Sequence, residues 1–410
     1  MKKNTNKVLR LQGKTLHYPW GGKSFLPQFL HLPNPEEKPF AEYWLGAHEM
    51  APSRLQLDSG KSANLNEYIH KFPTETLGNQ VAEKFGRLPY LLKILDVRDM
   101  LSIQVHPSKK NAEHEYAEEN RSGVAMHAAN RNYRDDNHKP ELMLALSEFW
   151  LLHGFKSSGP LARILKETKE LNFLTSVFER GSYAEVYKTV MEMQQADVNR
   201  KLQPLLDRIV PAYQEGVLRK ADENFWAARA AITFNSAGNI DKGIFSIYFF
   251  NLLMLDPGQA VFQDAGVPHA YLEGQNVEIM ANSDNVLRGG LTSKRIDIKE
   301  LLKHVNFEAT VPRIIQGLKK TKFLQVFGTP APDFELGKLE LPKGDRVEYT
   351  SVSAEIFLLW SGDLTIHENQ QNEFSLNPGE AFISFDAAEF QLNALKDSVL
   401  FKGSVPVSSS

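Results

Sequence analysis

The chain has 410 residues, with 47 Lys and Arg, 50 Asp and Glu, and a formal net charge of −3. That length allows two or three domains, each with its own core. A small net charge with basic residues spread along the chain leaves no electrostatic footprint for nucleic acid or an anionic membrane. The absence of cysteine excludes disulfides and thiolate chemistry, and it restricts a metal to His, carboxylate or amide ligands.

We expect neither a targeting segment nor a membrane segment. Early lysines are not followed by an apolar run of signal-peptide length. The most apolar stretch, residues 244–255, contains Ser and Asn and is too short to cross a bilayer. We expect a cytoplasmic monomer whose partner is a small molecule, with no nucleic acid and no membrane contact.

Hydrophobic patterning divides the chain into three segments. Residues 1 to about 155 predict short strands and loops, whereas apolar positions such as Leu161, Ile164 and Leu165 recur at helical spacing. Strand character returns at about Ile244. We therefore expect a mainly β chain with an inserted helical domain. The predicted segments are a metal-binding catalytic unit over 1–155 plus 240–318, a helical domain over 156–239 and a C-terminal unit over 319–410.

Short strands joined by Pro-Gly turns favour an antiparallel sandwich or jelly roll. The stretch LDPGQAVF at 255–262 is similar to LNPGEAFI at 376–383, which favours two related β-barrel units. From Ser404 onward we expect a frayed tail.

The first motif with possible chemistry is the segment 101–107, LSIQVHP. Apolar and polar residues alternate, so on a strand Ser102, Gln104 and His106 share one face. The hydroxyl, amide and imidazole are compatible with a ligand pair, although a plain exposed or hydrogen-bonded face is the alternative.

A second motif, NHKPELMLAL, places Lys139 and Glu141 on one side of a strand that becomes very apolar. A carboxylate at the start of a buried strand must be paired or bound to a metal, because an isolated buried charge is too costly. A surface ion pair between Lys139 and Glu141 is the alternative.

Two further motifs follow the helical segment. In AGVPHAY, Gly and Pro set a tight turn before His269, and Tyr271 shares its face; a structural histidine is the alternative. The segment 276–294 then gathers acidic and basic side chains around the pair Gly289-Gly290, for which a solvated loop is the alternative. The charged residues singled out there are Glu278, Asp284, Arg288 and Lys294.

Together these motifs form a coherent metal-ligand set. Two imidazoles, one carboxylate and one amide oxygen come from His106, His269, Glu141 and Gln104, a set that suits one Zn²⁺ with an open position for catalysis. With one anionic ligand the centre keeps a net positive charge, which suits a site that polarises a sugar oxygen. Ligand chemistry alone also permits Fe²⁺, Mn²⁺ or Co²⁺.

Four blocks resemble the type I mannose-6-phosphate isomerase (phosphomannose isomerase) family, a part of the cupin superfamily. They are YPWGG with AEYWLGAH, SIQVHPSKKNAEHEY, RNYRDDNHKPELMLAL and PHAYLEGQNVEIMANSDNVLRGGLTSKRIDI. The resemblance implies an isomerase that interconverts D-mannose 6-phosphate and D-fructose 6-phosphate with one zinc ion, by proton transfer through a cis-enediolate. It also implies two cupin-like units with an inserted helical domain.

The resemblance also implies residue roles. The zinc ligands are Gln104, His106, Glu141 and His269. The candidate catalytic residues are Arg288, Lys139, Asp284, Glu278 and His138. The candidate substrate-binding residues are Ser102, Lys93, Lys294, Tyr271 and Trp20. The family pattern usually has Ala at Gly289 and often Pro at Ser293, so we expect a looser loop around Arg288.

Two rival functions use the same kind of fold. An iron-dependent cupin oxygenase normally has two or three His and a carboxylate, so the Gln ligand and the Arg-Lys cluster argue against it. A non-catalytic sugar-binding cupin has no need for Arg288, Asp284 and Lys139 around one metal. The sequence does not identify the residue that carries the proton or the role of the C-terminal unit. It also leaves open whether the enzyme acts in mannose breakdown or in GDP-mannose biosynthesis.

Overall fold

The computed structural model describes residues 5–58, 60–370 and 372–406. Its strands in chain order are β1 (Val8–Gln12), β2 (Lys14–Leu16), β3 (Glu42–Gly46), β4 (Arg54–Gln56), β5 (Ser62–Asn64), β6 (Tyr90–Val97), β7 (Gln104–Val105), β8 (Glu141–Ala145), β9 (Phe149–Phe155), β10 (Phe250–Leu255), β11 (Ala260–Gln263), β12 (His269–Ala281), β13 (Leu287–Arg288), β14 (Leu318–Lys319), β15 (Leu324–Phe327), β16 (Glu335–Leu341), β17 (Arg346–Thr350), β18 (Glu355–Ser361), β19 (Leu364–Asn369), β20 (Asn372–Leu376), β21 (Ala381–Ser384), β22 (Glu389–Ala394) and β23 (Ser398–Ser404).

The helices alternate with these strands in the first two thirds of the chain. They are α1 (Phe25–Phe29), α2 (Leu65–Lys71), α3 (Pro73–Leu77), α4 (Asn79–Phe85), α5 (Lys109–Arg121), α6 (Ser158–Glu167), a 3₁₀ helix (Lys169–Leu174), α7 (Thr175–Arg180), α8 (Tyr183–Met191), α9 (Gln195–Gln214), α10 (Glu223–Phe234), α11 (Gly243–Phe249) and α12 (Ile298–His304). None of the helices in the described ranges is long and apolar enough to cross a membrane.

Three antiparallel sheets organise the strands. One has the order β14-β15-β16-β23-β18-β21-β1-β4-β5, and a small one has the order β17-β22-β19-β20. The sheet that carries the site has the order β10-β9-β12-β6-β3-β2, with β7, β8, β11 and β13 attached around β12. The expectation of a mainly β chain with helices is confirmed. Two jelly-roll barrels are not confirmed, because the pairings of the described residues close no sheet into a barrel.

Strand pairing crosses the predicted segment limits. Strand β1 pairs with β21, with Val8 opposite Ser384, so N-terminal strands lie in the same sheet as the C-terminal ones. The division into three segments therefore stays a prediction, although the segment 156–239 does contain α6 to α10.

Strand β12 separates the helical core from the site. Ala270 and Leu272 pack into an apolar core with residues of the helical segment. Successive side chains of a strand point to opposite faces, so His269 and Tyr271 point away from that core. At the start of β12 the sheet therefore has one face on the helices and one face toward the polar site, whereas Val277 and Ile279 pack into a second core with strands of the large sheet.

Three local predictions were wrong. Residues 244–249 belong to helix α11, not to a strand, because a short, fully buried apolar run has no periodicity that separates the two. Helices α1 to α5 were missed in the segment predicted as strands and loops; α5, the longest of them, is polar almost all round, with only Ala112 buried. Ser404 ends strand β23 and Val405 is buried, so the predicted tail does not begin at Ser404; residues 407–410 lie outside the described residues.

Candidate metal centre

Three of the four predicted ligands meet at one buried point. The Nε2 atom of His106 lies 3.5 Å from Oε1 of Glu141, and Nε2 of His269 lies 3.4 Å from Oε2 of the same carboxylate. All three side chains are buried, and their ligand atoms lie within 4.8 Å of one another. Bonds of about 2.0–2.2 Å to a tetrahedral zinc ion place ligand atoms about 3.3–3.6 Å apart, so the observed spacing fits such an ion.

Each imidazole is oriented by a backbone carbonyl. Nδ1 of His106 lies 2.8 Å from the carbonyl oxygen of Asn285, and Nδ1 of His269 lies 2.9 Å from that of Val267. A carbonyl oxygen only accepts, so each Nδ1 donates its proton and each Nε2 keeps a free lone pair. Such fixed tautomers are typical of metal-binding histidines.

The two Nε2 atoms also pass a test of fit for a metal. Both are buried and have no hydrogen-bond partner among the described residues. A buried acceptor left without a partner costs about 1–3 kcal/mol. A cation between His106, His269 and Glu141 would satisfy both atoms at once.

The protonation states suit a cation. Burial, with Lys139 nearby, lowers the pKa of His106 to about 4, so its imidazole is neutral at pH 7. Burial alone would raise the pKa of Glu141, but Lys139 and His106 outweigh it and hold that pKa well below its usual range. The His106 imidazole and the Glu141 carboxylate are therefore ready to bind a metal without losing a proton.

The fourth predicted ligand lies directly beside this group. In the strand pairing Gln104 is opposite His269 on one side and opposite Arg288 on the other. Side chains of directly opposed residues lie on the same face of a sheet. The register therefore brings Gln104 and Arg288 to the face that carries His269.

Arg288 and Lys294 line a cavity of about 440 Å³ together with Arg134. Burial and the neighbouring Arg134 lower the pKa of Arg288, and burial and Arg288 lower the pKa of Lys294. Within the described ranges of the chain, neither Arg288 nor Lys294 forms an ion pair with a carboxylate. A cavity with several cations that lack acidic partners is suited to an anion.

Asp284 lines the same cavity and an adjoining one of about 520 Å³. Its Oδ2 lies 3.3 Å from Nε2 of His48, whose Nδ1 accepts a hydrogen bond from the backbone N–H of Met50. That bond leaves the proton of His48 on Nε2, facing Asp284. Burial alone would raise the pKa of Asp284, but His48 and Lys139 outweigh it, so the net pKa is lowered and the carboxylate is ionised.

Lys93, Glu278 and Tyr271 form a buried hydrogen-bonded cluster. Lys93 Nζ donates to Oε1 of Glu278 over 3.1 Å, and the Tyr271 hydroxyl donates to Oε2 over 2.7 Å. Burial and the negative charge of Glu141 raise the pKa of Glu278. Burial alone would lower the pKa of Lys93, but Glu278 and Glu42 outweigh it and raise that pKa.

The remaining predicted residues are placed as follows. Lys139 Nζ lies 2.9 Å from Oε1 of Glu141, so this lysine joins the metal group. His138 is not brought to that group: its Nε2 lies 2.8 Å from Oδ2 of Asp333. Ser102 is half-buried. Trp20 is also half-buried, and its ring stacks on that of Tyr18, with 5.7 Å between the two ring centroids.

Sequence reasoning missed several polar neighbours of the site. They are His48, Arg134, Asn285, His153 and Gln263. His48 and Arg134 lie inside the sequence blocks that carry the family resemblance, and their position in those blocks could have marked them as candidate site residues. His153 becomes visible only in the strand pairing, where it is opposite His269.

The fold and this site define a mainly β protein with a buried two-histidine, one-carboxylate group typical of metalloenzymes. Residues 8–158 match the family model described as phosphomannose isomerase type I, catalytic domain. The chain is 35% identical to the mannose-6-phosphate isomerase of Salmonella typhimurium over 386 residues, covering 92% of this chain and 95% of that protein. It is 30% identical to the human mannose-6-phosphate isomerase over 430 residues, covering 97% of this chain and 98% of the human protein.

A solved structure is also similar over nearly the whole chain. The crystal structure of mannose 6-phosphate isomerase from Salmonella typhimurium bound to its substrate fructose 6-phosphate and zinc has a TM-score of 0.85 and 30% identity, covering 98% of this chain and 100% of that one. The chain belongs to the type I phosphomannose isomerase family, and it is an isomerase.

Proposed function

We propose that this protein interconverts D-mannose 6-phosphate and D-fructose 6-phosphate by proton transfer between C1 and C2 through a cis-enediolate. The observation that carries the proposal is the buried group of His106, Glu141 and His269, with both Nε2 atoms free, next to a cavity lined by cations. The names of the relatives and the fructose 6-phosphate complex of the Salmonella protein support the choice of substrate.

Zinc is the proposed cofactor, one per chain, held by Gln104, His106, Glu141 and His269. The zinc-bound structure of the Salmonella relative supports this metal. When bound, zinc supplies Lewis-acid stabilisation of negative charge on the sugar oxygens. Lys139, 2.9 Å from Glu141, adds a positive charge beside the same carboxylate.

Arg288 and Lys294 are proposed to hold the phosphate group. Asp284 and Asp297 also line this cavity, but they pair with His48 and Arg295, and among the described residues neither forms an ion pair with Arg288 or Lys294. A bound phosphate would therefore relieve the repulsion between these two cations. Arg288 is also opposite Gln104 in the strand pairing, which supports a position between the phosphate pocket and the metal group. Arg288 would thereby stabilise the oxyanion that develops during proton transfer.

Asp284 is the proposed base. It is ionised, it faces the cavity of Arg288, and the Nε2–H of His48 orients its carboxylate. The alternatives are less well placed: Glu278 is 2% exposed and bonded to two partners, and His138 pairs with Asp333. Lys139 stays a candidate for relaying the proton between sugar oxygens.

The remaining predicted contacts form the walls of the proposed sugar site. Lys93 and Tyr271 are fixed by Glu278 on the inner face of the sheet, so they would shape the pocket floor. Trp20 and Ser102 are half-buried and would offer an apolar wall and a hydrogen bond.

Solvent isotope exchange tests the reaction. In deuterated water, wild type should place deuterium at C1 or C2 of the product, with or without dioxygen. Asp284→Asn should lower turnover by about two to four orders of magnitude, as expected for loss of a base, while bound zinc is unchanged. A strict need for dioxygen would favour an oxygenase, and sugar binding without isotope exchange would favour a non-catalytic cupin.

We further propose two cupin-like units, with the helical segment 156–239 inserted in the first. The apolar core between the small sheet and the β16-β23-β18-β21 part of the large one supports a C-terminal sandwich. The monomeric state, the cytoplasmic location and a part in GDP-mannose biosynthesis stay predictions.

A further inference from the structure

The loop that carries Arg288 and Lys294 has an unusual backbone. Gly290 has a φ of +128° and Leu291 a φ of +53°, both in the left-handed region. A leucine seldom adopts that conformation, so surrounding contacts must hold it there. This turn lies between Arg288 and Lys294 in the chain.

One carboxylate, Asp241, provides those contacts. Its Oδ1 accepts hydrogen bonds from the backbone N–H of Leu291 over 2.8 Å and of Gly243 over 2.7 Å. Its Oδ2 accepts from the backbone N–H of Thr292 over 3.1 Å. Asp241 therefore ties the turn at 290–292 to the short link between helices α10 and α11.

The two backbones are in direct contact at this point. A Cβ atom added to Gly243 would lie 2.6 Å from the backbone nitrogen of Leu291, and one added to Gly290 would collide with Gly243. Asp241 is itself held in place, since its backbone N–H donates to Oδ1 of Asn235 over 3.0 Å. Burial raises the pKa of Asp241, and the hydrogen bonds from the three backbone N–H groups limit that rise because they stabilise the ionised carboxylate.

We propose that Asp241 is a positioning residue: it holds the 290–292 turn so that Arg288 and Lys294 face the cavity, and the link after α10 thereby shapes the active site. The inference rests on the proposed function, since it assigns Arg288 and Lys294 to substrate binding. Asp241 lines neither of the cavities that contain Asp284, and among the described residues its hydrogen bonds reach the site through this turn.

The test compares the zinc-loaded wild-type protein with Asp241→Ala, Asp241→Asn and Asp397→Ala. Asp397 is a matched control, because its Oδ1 also accepts a backbone N–H, that of Lys343, in an exposed turn far along the chain. Hydrogen–deuterium exchange of the 287–294 peptide should be about tenfold faster in Asp241→Ala, because the bonds that close the turn are gone, and unchanged in Asp397→Ala. Equal exchange in wild type and Asp241→Ala would overturn the inference.

Kinetics separates positioning from general destabilisation. Asp241→Ala should lower kcat/KM for mannose 6-phosphate about 10- to 100-fold with bound zinc unchanged, since small misplacements of a substrate-binding group cost that much. In the Arg288→Ala background the same substitution should lower kcat/KM clearly less than in wild type, because only Lys294 is then left for Asp241 to position. An equal loss in both backgrounds would show that Asp241 acts independently of Arg288.

The two proposals can fail separately. If wild type does not isomerise the sugar, the proposed function fails while the exchange measurement still decides the role of Asp241. If Asp241→Ala does not fold, Asp241→Asn replaces it. Asn keeps one acceptor oxygen but turns an amide group toward the remaining N–H, so exchange and kcat/KM should shift in the same directions by smaller factors.

Discussion

The Nε2 atom of His138 lies 2.8 Å from Oδ2 of Asp333, and this pair joins the residue next to Lys139 to the segment before β16. Asp333 is 3% exposed, so its carboxylate depends on partners within the protein. His138 therefore has a contact that ties the metal-binding part of the chain to its C-terminal part. We expect this contact to give the C-terminal segment a structural part in supporting the site.

Replacing Asp333 by Asn should destabilise the fold without removing the metal. The substitution keeps the shape but removes the charge from a buried hydrogen bond, so we expect a loss of about 1–2 kcal/mol in the free energy of unfolding. Urea unfolding measures it, with zinc content determined in parallel. Asp345→Asn, which alters an exposed pair with Lys322, is the control and should stay within about 0.5 kcal/mol. Equal stability of Asp333→Asn and wild type would contradict the structural role.

Asn285 should influence zinc affinity although it is not one of the proposed zinc ligands. Its backbone carbonyl fixes His106, and its side-chain amide donates to the carbonyl oxygens of Asp135 and Asn137. Asn285→Ala removes the side-chain hydrogen bonds that hold residue 285 in place, so its backbone carbonyl would orient His106 less firmly. We expect zinc affinity to fall about 10- to 100-fold. Chelator competition measures this. Asn377→Ala, in an exposed turn, serves as the control, and a variant at position 285 with wild-type affinity would refute the coupling.

Stability of the metal-free protein should fall as the pH drops from about 6.5 to 4. Burial, with His269 adding to it, lowers the pKa of His153 to about 4 although its bond to Gln263 opposes the shift. Unfolded His153 takes a proton near pH 6.5 and folded His153 only near pH 4, so stability is full above the first value and is lost between the two. The contribution of His153 alone to this slope is at most about 1.4 kcal/mol per pH unit.

The substitution His153→Asn isolates this contribution. The Asn amide can still donate to Gln263 but does not titrate. Unfolding free energies of wild type and His153→Asn, measured across this pH range, should differ in slope, with wild type losing more stability on the acid side. If the two plots of unfolding free energy against pH were parallel, the lowered pKa of His153 would be contradicted.

Gly289 should not tolerate alanine while Tyr187 keeps its hydroxyl. A Cβ atom at Gly289 would lie 2.7 Å from that hydroxyl and 3.0 Å from Cγ2 of Ile103. Gly289→Ala should therefore cost about 1–3 kcal/mol of stability. The double variant Tyr187→Phe with Gly289→Ala should recover part of the loss, which thermal or urea unfolding of the four proteins in the cycle would detect. Additive effects would exclude this contact as the cause.

The prediction that glycine at 289 loosens the loop overlooked this hydroxyl. Gly289 and Gly290 are buried, and helix α8 supplies Tyr187 to fill the space that alanine would take. No spacing in the sequence connects residue 187 with residue 289. Such compensation appears only when the fold brings distant segments together.

Patterns of short range were predictable. The alternation in LSIQVHP predicted a strand with Gln104 and His106 on one face, and the P-H turn singled out His269, because these patterns depend on neighbouring residues alone. The strand is shorter than predicted, Gln104–Val105, but His106 and His269 do come together at Glu141. Contacts such as His48 with Asp284, or Asp241 with Leu291, join segments far apart in the chain. Those relations depend on tertiary packing, and the sequence carries no local signal for them.

The most direct test is the zinc content of purified protein for wild type, His106→Ala, His269→Ala and His367→Ala. His367 is a control because it lies on β19, outside the metal group, beside Glu373. Wild type and His367→Ala should each hold about one zinc per chain and isomerise mannose 6-phosphate, while the other two should lose both zinc and activity. Full zinc occupancy in His106→Ala or His269→Ala would contradict the assignment of this site.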